Sequence, residues 1–433
     1  MYGTQQVLIK LNPSIRSVLE FVCSEAKKLS NCGIYYSRQL FFKTGRFPSK
    51  VDLHREIGTN QKNPHYSALH SDTAQQTLTT VAESFKSYAA LARKWKKGKL
   101  ESKPKLPNYL KSRSGLAVAT FTGRSVRYRG KKKGKEKELG IKLPLGIRVK
   151  TWFGISQINI PMPSNLDIDN IKEVRILPRN GCFYAEFVYN LTPQAVELDD
   201  QQALGIDPGL NNWLTCVSTV GTSFIVDGLH LKSLNQWYNK SVAKRKKDKP
   251  QGFWSKKLAQ ITEKRNRQMR YAVNKAARIV INHCIENKIG NVVFGWNKGQ
   301  KQKANMGKMN NQKFVQIPTF KLKERINQLC ELYGINFIET EESYTSKSSF
   351  LDDDFVPTFG EKPEGWKPSG KRVKRGLYRV SCGMLINADA NGAANILAKV
   401  ETILGSELGG VSSGALSAPS RVTLWQTAKS PVL

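Results

Sequence analysis

Three acidic residues stand where predicted secondary-structure elements begin or end, and this placement constrains the fold more than any other feature. Asp207 ends a strand-like apolar run and precedes a Pro-Gly turn. Glu342 closes a second strand-like run, 335–342. Asp389 opens 389–396, whose small and apolar residues predict the start of a helix. Two strand ends and one helix start can bring three carboxylates to one site.

The elements around these acids predict a mixed α/β sheet. Strands are expected at 204–207, 214–218, 223–226, 291–294 and 335–338, and helices within 231–287 and over 319–333. This order matches the RNase H-like plan, in which acidic residues lie on strand ends and on a final helix. Residues 348–383 are expected to be irregular, and the Gly- and Ser-rich residues after about 404 favour a disordered tail.

The first half of the chain has a different pattern. A strand is expected at 6–10, and apolar residues then recur at helical spacing over about 12–93. Short alternating runs at 116–121, 155–160, 174–177 and 182–189 predict antiparallel strands of a small barrel. The acidic segment 197–200 is interpreted as the boundary between the two halves.

The charge of the chain indicates its partner. Its 433 residues include 69 Lys and Arg against 34 Asp and Glu, a net charge of +35. An excess of this size favours binding to a polyanion such as nucleic acid. No run of about 18 apolar residues and no signal peptide is evident, so no membrane partner is expected. The seven cysteines are scattered without a Cys-x-x-Cys pair, which is typical of reduced thiols in the cytoplasm.

Carboxylates at these positions suit phosphodiester hydrolysis. Two Mg²⁺ ions, or Mn²⁺ in their place, activate the attacking water and stabilise the leaving oxygen, and Mg²⁺ prefers oxygen ligands. Asp207 is expected to bridge both ions, while Glu342 and Asp389 each complete the shell of one. Taken singly, these acids are a turn residue, a solvated edge residue and a helix cap. Taken together with the basic charge, they favour a nuclease.

The segments that carry these acids resemble the signature blocks of a known family. The blocks are 205–209 (Gly-Ile-Asp-Pro-Gly), 344–347 (Tyr-Thr-Ser-Lys) and 389–396 (Asp-Ala-Asn-Gly-Ala-Ala-Asn-Ile). They are similar to those of TnpB, the insertion-sequence-encoded, RNA-guided DNA endonucleases ancestral to type V CRISPR effectors. The resemblance spans nearly the whole chain and implies a prokaryotic protein associated with the nucleoid.

The resemblance implies an α/β multidomain fold with an RNase H-like (RuvC) nuclease domain. It assigns a wedge β-barrel to 1–10 and 96–197, an inserted helical recognition domain to 11–95, and the RuvC-like domain to 198–344 and 384–403. Between the last two parts, 345–383 is expected to bind target nucleic acid, and 404–433 to form the disordered tail.

One departure from the family concerns the second catalytic acid. Most members carry it at the end of the strand that corresponds to 292–294, where this chain has Gly295-Trp296-Asn297 and no acid. In a subset of the family, and in the related eukaryotic Fanzor proteins, the acid lies three residues before the Thr-Ser motif, which is Glu342 here. Glu341 is a weaker candidate because adjacent strand residues point to opposite faces.

A second departure concerns zinc. The family carries a four-cysteine zinc finger before the last Asp, whereas this chain has only Cys382 there, with Ser348 and Ser349 where a pair would begin. Structural zinc needs four ligands, so no zinc is predicted. The segment would be held by nucleic acid or by packing of its aromatic residues, which are Phe350, Phe355, Phe359, Trp366 and Tyr378.

The implied partners are a guide (omega) RNA and target double-stranded DNA, with no protein partner indicated. Basic residues are expected to hold the guide–target heteroduplex by its backbone; the candidates are Arg93, Lys94, Lys96, Lys97, Lys99, Arg265, Arg267 and Arg270. Trp95 and Tyr128 are candidates for stacking on bases, with a core role equally open for Trp95. Gln75 and Gln76 are either readers of adenine edges in a target-adjacent motif or part of a polar helix face.

Two alternatives to a guided nuclease remain open at this point. A guide-dependent DNA-binding protein that does not cut is suggested by the acid missing at Gly295. A general RNA-binding chaperone would explain the charge but has no need of three spaced acids.

Overall fold

The protein divides into two compact units, each with its own sheets. The structure is a computed structural model that describes residues 1–111, 115–129, 140–297, 316–401 and 408–425. The units are Met1–Leu191 and Thr192–Leu433. The predicted α/β multidomain class is confirmed.

The first unit contains two antiparallel sheets. Its strands are β1 (Tyr2–Leu8), β2 (Ala119–Thr122), β3 (Arg127–Arg129), β4 (Gly140–Pro144), β5 (Gln157–Pro161), β6 (Ile171–Arg179) and β7 (Cys182–Asn190). One sheet has the order β1-β7-β6-β2 and the other β3-β4-β5. The antiparallel strands are as predicted, but these two sheets are separate and form no closed barrel within the described ranges.

The helices of the first unit follow the apolar spacing of the sequence. They are α1 (Pro13–Thr44), α2 (Lys50–Leu53) continued by a π-helical turn (His54–Asn60), α3 (Pro64–Ala68), α4 (Ser71–Lys96) and α5 (Ile147–Phe153). The Asn12 side chain caps α1, and Gly45 ends it in a left-handed conformation. Val18, Leu19 and Val22 are buried on one face of α1, so the helical prediction for about 12–93 is confirmed.

The second unit is built on a six-stranded mixed sheet. Its strands are β8 (Asp199–Pro208), β9 (Asn212–Ser218), β10 (Ser223–Asp227), β11 (Ile289–Gly295), β12 (Asn336–Thr340) and β16 (Ser420–Val422), in the order β12-β11-β8-β9-β10-β16. Strands β8, β11 and β12 are parallel to one another, whereas β9 is antiparallel to β8 and β10. The carboxyl ends of three strands therefore meet at one edge of the sheet.

Four of the five described α-helices of the second unit lie close to their predicted positions, and the fifth, Ser413–Ser417, was not predicted. The five are α6 (Leu229–Lys246), α7 (Lys256–Glu286), α8 (Thr319–Tyr333), α9 (Ala388–Ala398) and α10 (Ser413–Ser417). The element order predicted for the RNase H-like plan is confirmed. Among the described helices, none is long and apolar enough to cross a membrane.

The acidic segment 197–200 does not separate the two units. Asp199 and Asp200 begin β8, and the division falls after Leu191. The backbone N–H of Asp199 donates to the carbonyl of Lys288, and its side chain accepts from the N–H of Gln201. Both aspartates are exposed at the strand start, where a charged side chain stays in water.

Residues 345–383 contain more regular structure than predicted. Strands β13 (Lys371–Lys374) and β14 (Leu377–Arg379) form an antiparallel sheet with β15 (Leu385–Asn387). Tyr378 is fully buried and its hydroxyl donates to the carbonyl of Lys347 at 2.6 Å.

The prediction that aromatic residues pack within this segment is correct for Tyr378. It is wrong for Phe355 and Phe359, whose surfaces are 64% and 79% exposed. Carboxylates fix the backbone instead, because Asp354 accepts from the N–H groups of Ser349 and Ser369. These charge-assisted bonds are stronger than neutral ones.

The prediction of a disordered tail is wrong for 408–425. Ser412 caps α10, and β16 adds to the edge of the sheet in parallel with β10. Val411, Leu416 and Leu424 are buried, each with at most 6% of its surface exposed. The Ser- and Gly-rich composition that suggested disorder is therefore compatible with ordered structure held by three buried apolar side chains.

Candidate active site

Asp207 lies at the carboxyl end of β8, where the strand packs against α9. The approach is close because both elements carry a glycine at the contact. A β-carbon on Gly205 would lie 2.5 Å from the carbonyl oxygen of Ala393, and one on Gly392 would lie 3.0 Å from Oδ2 of Asp207. The sequence thus sets Asp207 directly against the first turns of α9.

Asp389 is held in the first turn of α9. Asn387 caps the helix by accepting from the N–H groups of Asp389 and Ala390. The carboxylate accepts from Asn212 Nδ2 on Oδ2 at 2.7 Å and from the Arg372 guanidinium on Oδ1 at 3.1 Å. Both oxygens of Asp389 therefore have fixed directions.

Glu342 follows β12 and lies beside the end of β11, where the sequence lacks an acid. A β-carbon on Gly295 would lie 2.9 Å from Cγ of Glu342 and 2.5 Å from Cδ1 of Ile396. The Glu342 side chain thus fills the space that a side chain on residue 295 would need. Asn297 holds it there, since its Oδ1 accepts from the backbone N–H of Glu342 at 3.0 Å.

The neighbouring glutamates are neutralised by lysines. Glu339 pairs with Lys323, and Glu341 pairs with Lys399. Burial acts to raise the pKa of Glu341, but hydrogen bonds from Lys399 and Ser343 outweigh it and lower that pKa. Glu341 thus forms an ion pair with Lys399, as suits its being the weaker candidate for the second acid.

The three acids act on one another electrostatically. Burial and then the charge of Asp389 raise the pKa of Asp207 to about 7, against the opposing charge of Arg372. Burial, and then the charges of Asp207 and Glu341, raise the pKa of Glu342 to about 8. The charge of Asp207 thus acts on Glu342, and the charge of Asp389 acts on Asp207.

These contacts bring the acids together in pairs. Among the described residues, no three His, Cys, Asp or Glu side chains are already arranged to hold one metal ion. One oxygen of Asp389 faces Arg372 at 3.1 Å. The convergence of Asp207, Glu342 and Asp389 on a shared pair of ions stays a prediction.

Hydrogen bonds link the 344–347 and 389–396 blocks to the backbone of Glu342. Asn391 and Asn395 of α9 donate to the carbonyl of Ser348, and Asn395 also donates to that of Thr345, all at 2.8 Å. The Thr345 hydroxyl in turn donates to the carbonyl of Glu342 at 2.9 Å. The asparagines of the third block therefore position the loop that fixes the second acid.

Several basic residues around the acids were not predicted from the sequence. A cavity of about 330 Å³ is lined by Asp207 and Asp389 together with three arginines, Arg372, Arg375 and Arg421. Arg421 donates to Asp227 at 2.6 Å and to Oδ1 of Asn212 at 2.9 Å, and Asn212 in turn holds Asp389. No sequence signal pointed to Arg421, because it lies in the segment interpreted as a tail.

The predicted nucleic-acid-binding residues of the first unit lie at the surface. Exposed cations occupy the last turn of α4 and the residues after it, namely Arg93, Lys94, Lys96, Lys97 and Lys99. Gln75 is exposed and Gln76 is half-buried in the first turns of the same helix. Trp95 is half-buried with the Lys103 ammonium 5.4 Å from its ring, and the side chain of Tyr128 lies outside the described residues.

The three predicted arginines of α7 differ in their surroundings. Arg265 donates twice to Asn235 and once to the carbonyl of Gln316, and burial lowers its pKa. Arg270 pairs with the buried carboxylate of Glu263 at 2.8 Å. Arg267 is exposed. Internal contacts thus engage Arg265 and Arg270, because the polar groups they meet are themselves buried.

Two family models match parts of this chain. Residues 186–300 match the family OrfB_IS605, described as probable transposase, and residues 320–396 match the TNB domain of Cas12f1-like proteins. No curated protein matches the chain.

Solved structures also match. The protein chain in a structure of the Cas12f1–sgRNA–target DNA complex has 14% sequence identity to this chain. The match covers 89% of this chain and 83% of that chain, at a TM-score of 0.58. The mini-RNA-guided endonuclease CRISPR-Cas_phi3 is 10% identical, with 97% and 94% covered at a TM-score of 0.47.

The likeness to Cas12f1 shows the fold, which is the α/β multidomain architecture of a Cas12-type effector. The two family matches cover the first acid block and the later two, in the predicted order. The blocks at 205–209, 344–347 and 389–396, which resemble those of TnpB, all lie within the matched residues.

Proposed function

We propose that this protein is an RNA-guided DNA endonuclease of a transposable element, with Asp207, Glu342 and Asp389 as its catalytic acids. The observation that carries the proposal is that Asp207 lines one cavity with Asp389, while Glu342 lies beside the end of β11, the strand next to β8. The pKa of Asp207 is raised to about 7 and that of Glu342 to about 8. Perturbed carboxylates of this kind cluster at functional sites. Among the described residues, Glu339, Glu341 and Asp389 each form an ion pair, whereas Asp207 and Glu342 form none.

The donor set fits Mg²⁺, with Mn²⁺ as the alternative. Carboxylate oxygens are hard ligands, and a cation would relieve the repulsion that raises the pKa values of Asp207 and Glu342. When bound, two such ions would activate the attacking water and stabilise the leaving oxygen. Asp207 would contact both ions, while Glu342 and Asp389 would each contact one.

The chain's other residues orient these acids. Asn212 directs one oxygen of Asp389, and Asn297 fixes the backbone of Glu342. Arg372 and Arg375 line the same cavity as Asp207 and Asp389. Guanidinium groups bind phosphate oxygens in a bidentate manner, so these arginines would hold the DNA backbone beside the acids.

The guide (omega) RNA would supply sequence specificity by pairing with target double-stranded DNA next to a short motif. We assign the two antiparallel sheets of the first unit to the wedge and the helices α1–α4 to the recognition domain. The exposed cations at 93–99 would contact the heteroduplex backbone, and Gln75 would read the motif. We place the protein in the prokaryotic cytoplasm, beside the nucleoid, and propose no zinc.

The test is to purify the protein with its co-expressed native flanking locus, sequence the bound RNA and assay matched DNA with Mg²⁺. We expect cutting by the unmodified protein and none by Asp207→Ala, Glu342→Ala or Asp389→Ala. Glu341→Ala is the matched control, since Glu341 is adjacent but bound to Lys399. Cutting that persists in Glu342→Ala would show that the second acid is misassigned.

A guided DNA-binding protein that does not cut is the second candidate. It is favoured by the ion pair between Arg372 and Asp389, which engages one predicted ligand. The same assay separates the candidates, because guided binding of matched DNA without any cutting in Mg²⁺ or Mn²⁺ would support only the second.

A further inference from the structure

The segment 408–425 brings an aromatic side chain onto the long helices of the second unit. The Trp425 ring centroid lies 4.1 Å from that of His230 in α6 and 6.2 Å from that of Tyr271 in α7. His230 is exposed, and Tyr271 exposes 51% of its surface. Trp425 thus joins an open aromatic surface and is not enclosed in the core.

Exposed cations lie along this aromatic surface. Trp425 and Tyr271 line a groove of about 430 Å³ whose other lining residues are Lys264, Arg267 and Gln268. Lys264 and Arg267 are both exposed. Rings on which bases stack, flanked by cations that contact phosphates, are the features by which proteins hold single-stranded nucleic acid.

Two short segments of the chain link this groove to the cavity that holds Asp207 and Asp389. Leu229 and Arg421 line the cavity that holds Asp207 and Asp389. His230 follows Leu229 directly, and Trp425 stands four residues after Arg421. Four residues of extended chain span at most about 14 Å. A nucleotide stacked on Trp425 would therefore lie only a few nucleotides from the acids.

We infer that the aromatic groove formed by Lys264, Arg267, Gln268, Tyr271 and Trp425 binds the single strand of DNA that enters the acid site. The inference rests on the proposed nuclease function, because the continuity with the acids is what favours the DNA strand. Bases stack on Trp425 and Tyr271, and Lys264 and Arg267 contact the phosphates. A duplex keeps its base faces paired and stacked, so the groove selects single strands.

The test uses the full chain with a single-stranded oligodeoxythymidylate that carries 5-iodouracil, in EDTA so that no metal-dependent cutting occurs. Ultraviolet light crosslinks the modified base to rings on which it stacks, and mass spectrometry locates the crosslink. We expect crosslinks at Trp425 or Tyr271. The matched duplex is expected to give none.

Affinity is measured in parallel by fluorescence anisotropy at about 0.3 M salt, which weakens non-specific phosphate contacts. Trp425→Ala should weaken binding on the order of tenfold, because stacking on an aromatic ring accounts for such a loss per base. Trp425→Phe should retain most of the affinity. Tyr271→Ala should also weaken binding, and it does so without relying on the docking of 408–425. Thr423→Ala, an exposed change in the same segment, is the control.

Crosslinks confined to other surfaces, together with unchanged affinity in Trp425→Ala and Tyr271→Ala, would overturn the inference. So would tighter binding of the corresponding RNA that depends on Trp425, since the groove would then belong to the guide. Crosslinks in the groove without guided cutting in Mg²⁺ would refute the nuclease function but not the binding of single strands in the groove. Guided cutting without crosslinks in the groove would refute the groove and support the nuclease function.

Discussion

Replacing Asp207 by asparagine is expected to stabilise the metal-free protein. Burial and the charge of Asp389 raise the pKa of Asp207 from 3.8 to about 7, and a tenfold change in proton binding corresponds to about 1.4 kcal/mol. Ionising Asp207 therefore costs the folded protein on the order of 4 kcal/mol above pH 7, judged from the pKa of about 7. The Asp207→Asn side chain carries no charge at any pH, so the variant escapes this cost.

The sign of the pH dependence follows from the raised pKa. The folded protein keeps the Asp207 proton to higher pH than the unfolded chain does, so stability is fully present below the ordinary pKa and is lost as pH rises toward about 7. Glu342 extends this loss toward pH 8, because its pKa is raised to about 8. The advantage of Asp207→Asn over the unmodified protein should thus grow from about pH 4 to about pH 7, between the ordinary and the raised pKa of Asp207, and then level off.

Calorimetry in EDTA measures this advantage. A gain of 1 kcal/mol raises the melting temperature by about 2–4 °C for a unit of this size. Glu341→Gln is the matched control with the opposite sign, because hydrogen bonds from Lys399 and Ser343 lower the pKa of Glu341. Added Mg²⁺ should stabilise the unmodified protein and have less effect on Asp207→Asn. An Asp207→Asn protein no more stable than the unmodified one at about pH 8 would refute the electrostatic reasoning.

Three further predictions concern residues that support the acids. Gly295→Ala should destabilise the protein by about 1–3 kcal/mol in urea, because its β-carbon would meet Ile396 Cδ1 at 2.5 Å and Glu342 Cγ at 2.9 Å; an unchanged urea midpoint would contradict this. Asn395→Ala removes the side-chain donor to the carbonyl of Thr345 and one of the two donors to that of Ser348, and should cost about 1–3 kcal/mol in the same assay; an unchanged midpoint would contradict it. Arg421→Gln should raise the Mg²⁺ concentration for half-maximal cutting, since Arg421 holds Asn212; an unchanged requirement, as expected for Thr423→Ala, would contradict it.

Much of the second unit could be predicted because its apolar pattern is regular. Helix α8 has the predicted bounds 319–333, and β8 contains the predicted strand 204–207. Both elements bury apolar residues, and burial is what periodicity reports. Strand β13 was not predicted, because its residues Lys371–Lys374 are all exposed and give no apolar alternation.

Side-chain partners were harder to predict than elements. Arg265 and Arg270 are basic residues on a basic helix, and only the fold shows that one meets Asn235 and the other Glu263. Arg421 is distant in sequence from Asp227, which it meets through the pairing of β16 with β10. Sequence composition describes what a segment is made of, whereas such contacts depend on which strand it joins.

The second acid shows what the sequence could indicate when two positions are considered together. Gly295 alone is only the place where an acid is missing, and Glu342 alone is one of a cluster of glutamates. The two residues lie at the ends of adjacent parallel strands, and the side chain of one fills the space left by the other. A side chain at 295 and the present position of Glu342 are therefore mutually exclusive. Restoring an acid at 295 without removing Glu342 should crowd the site, because both side chains would need the same volume.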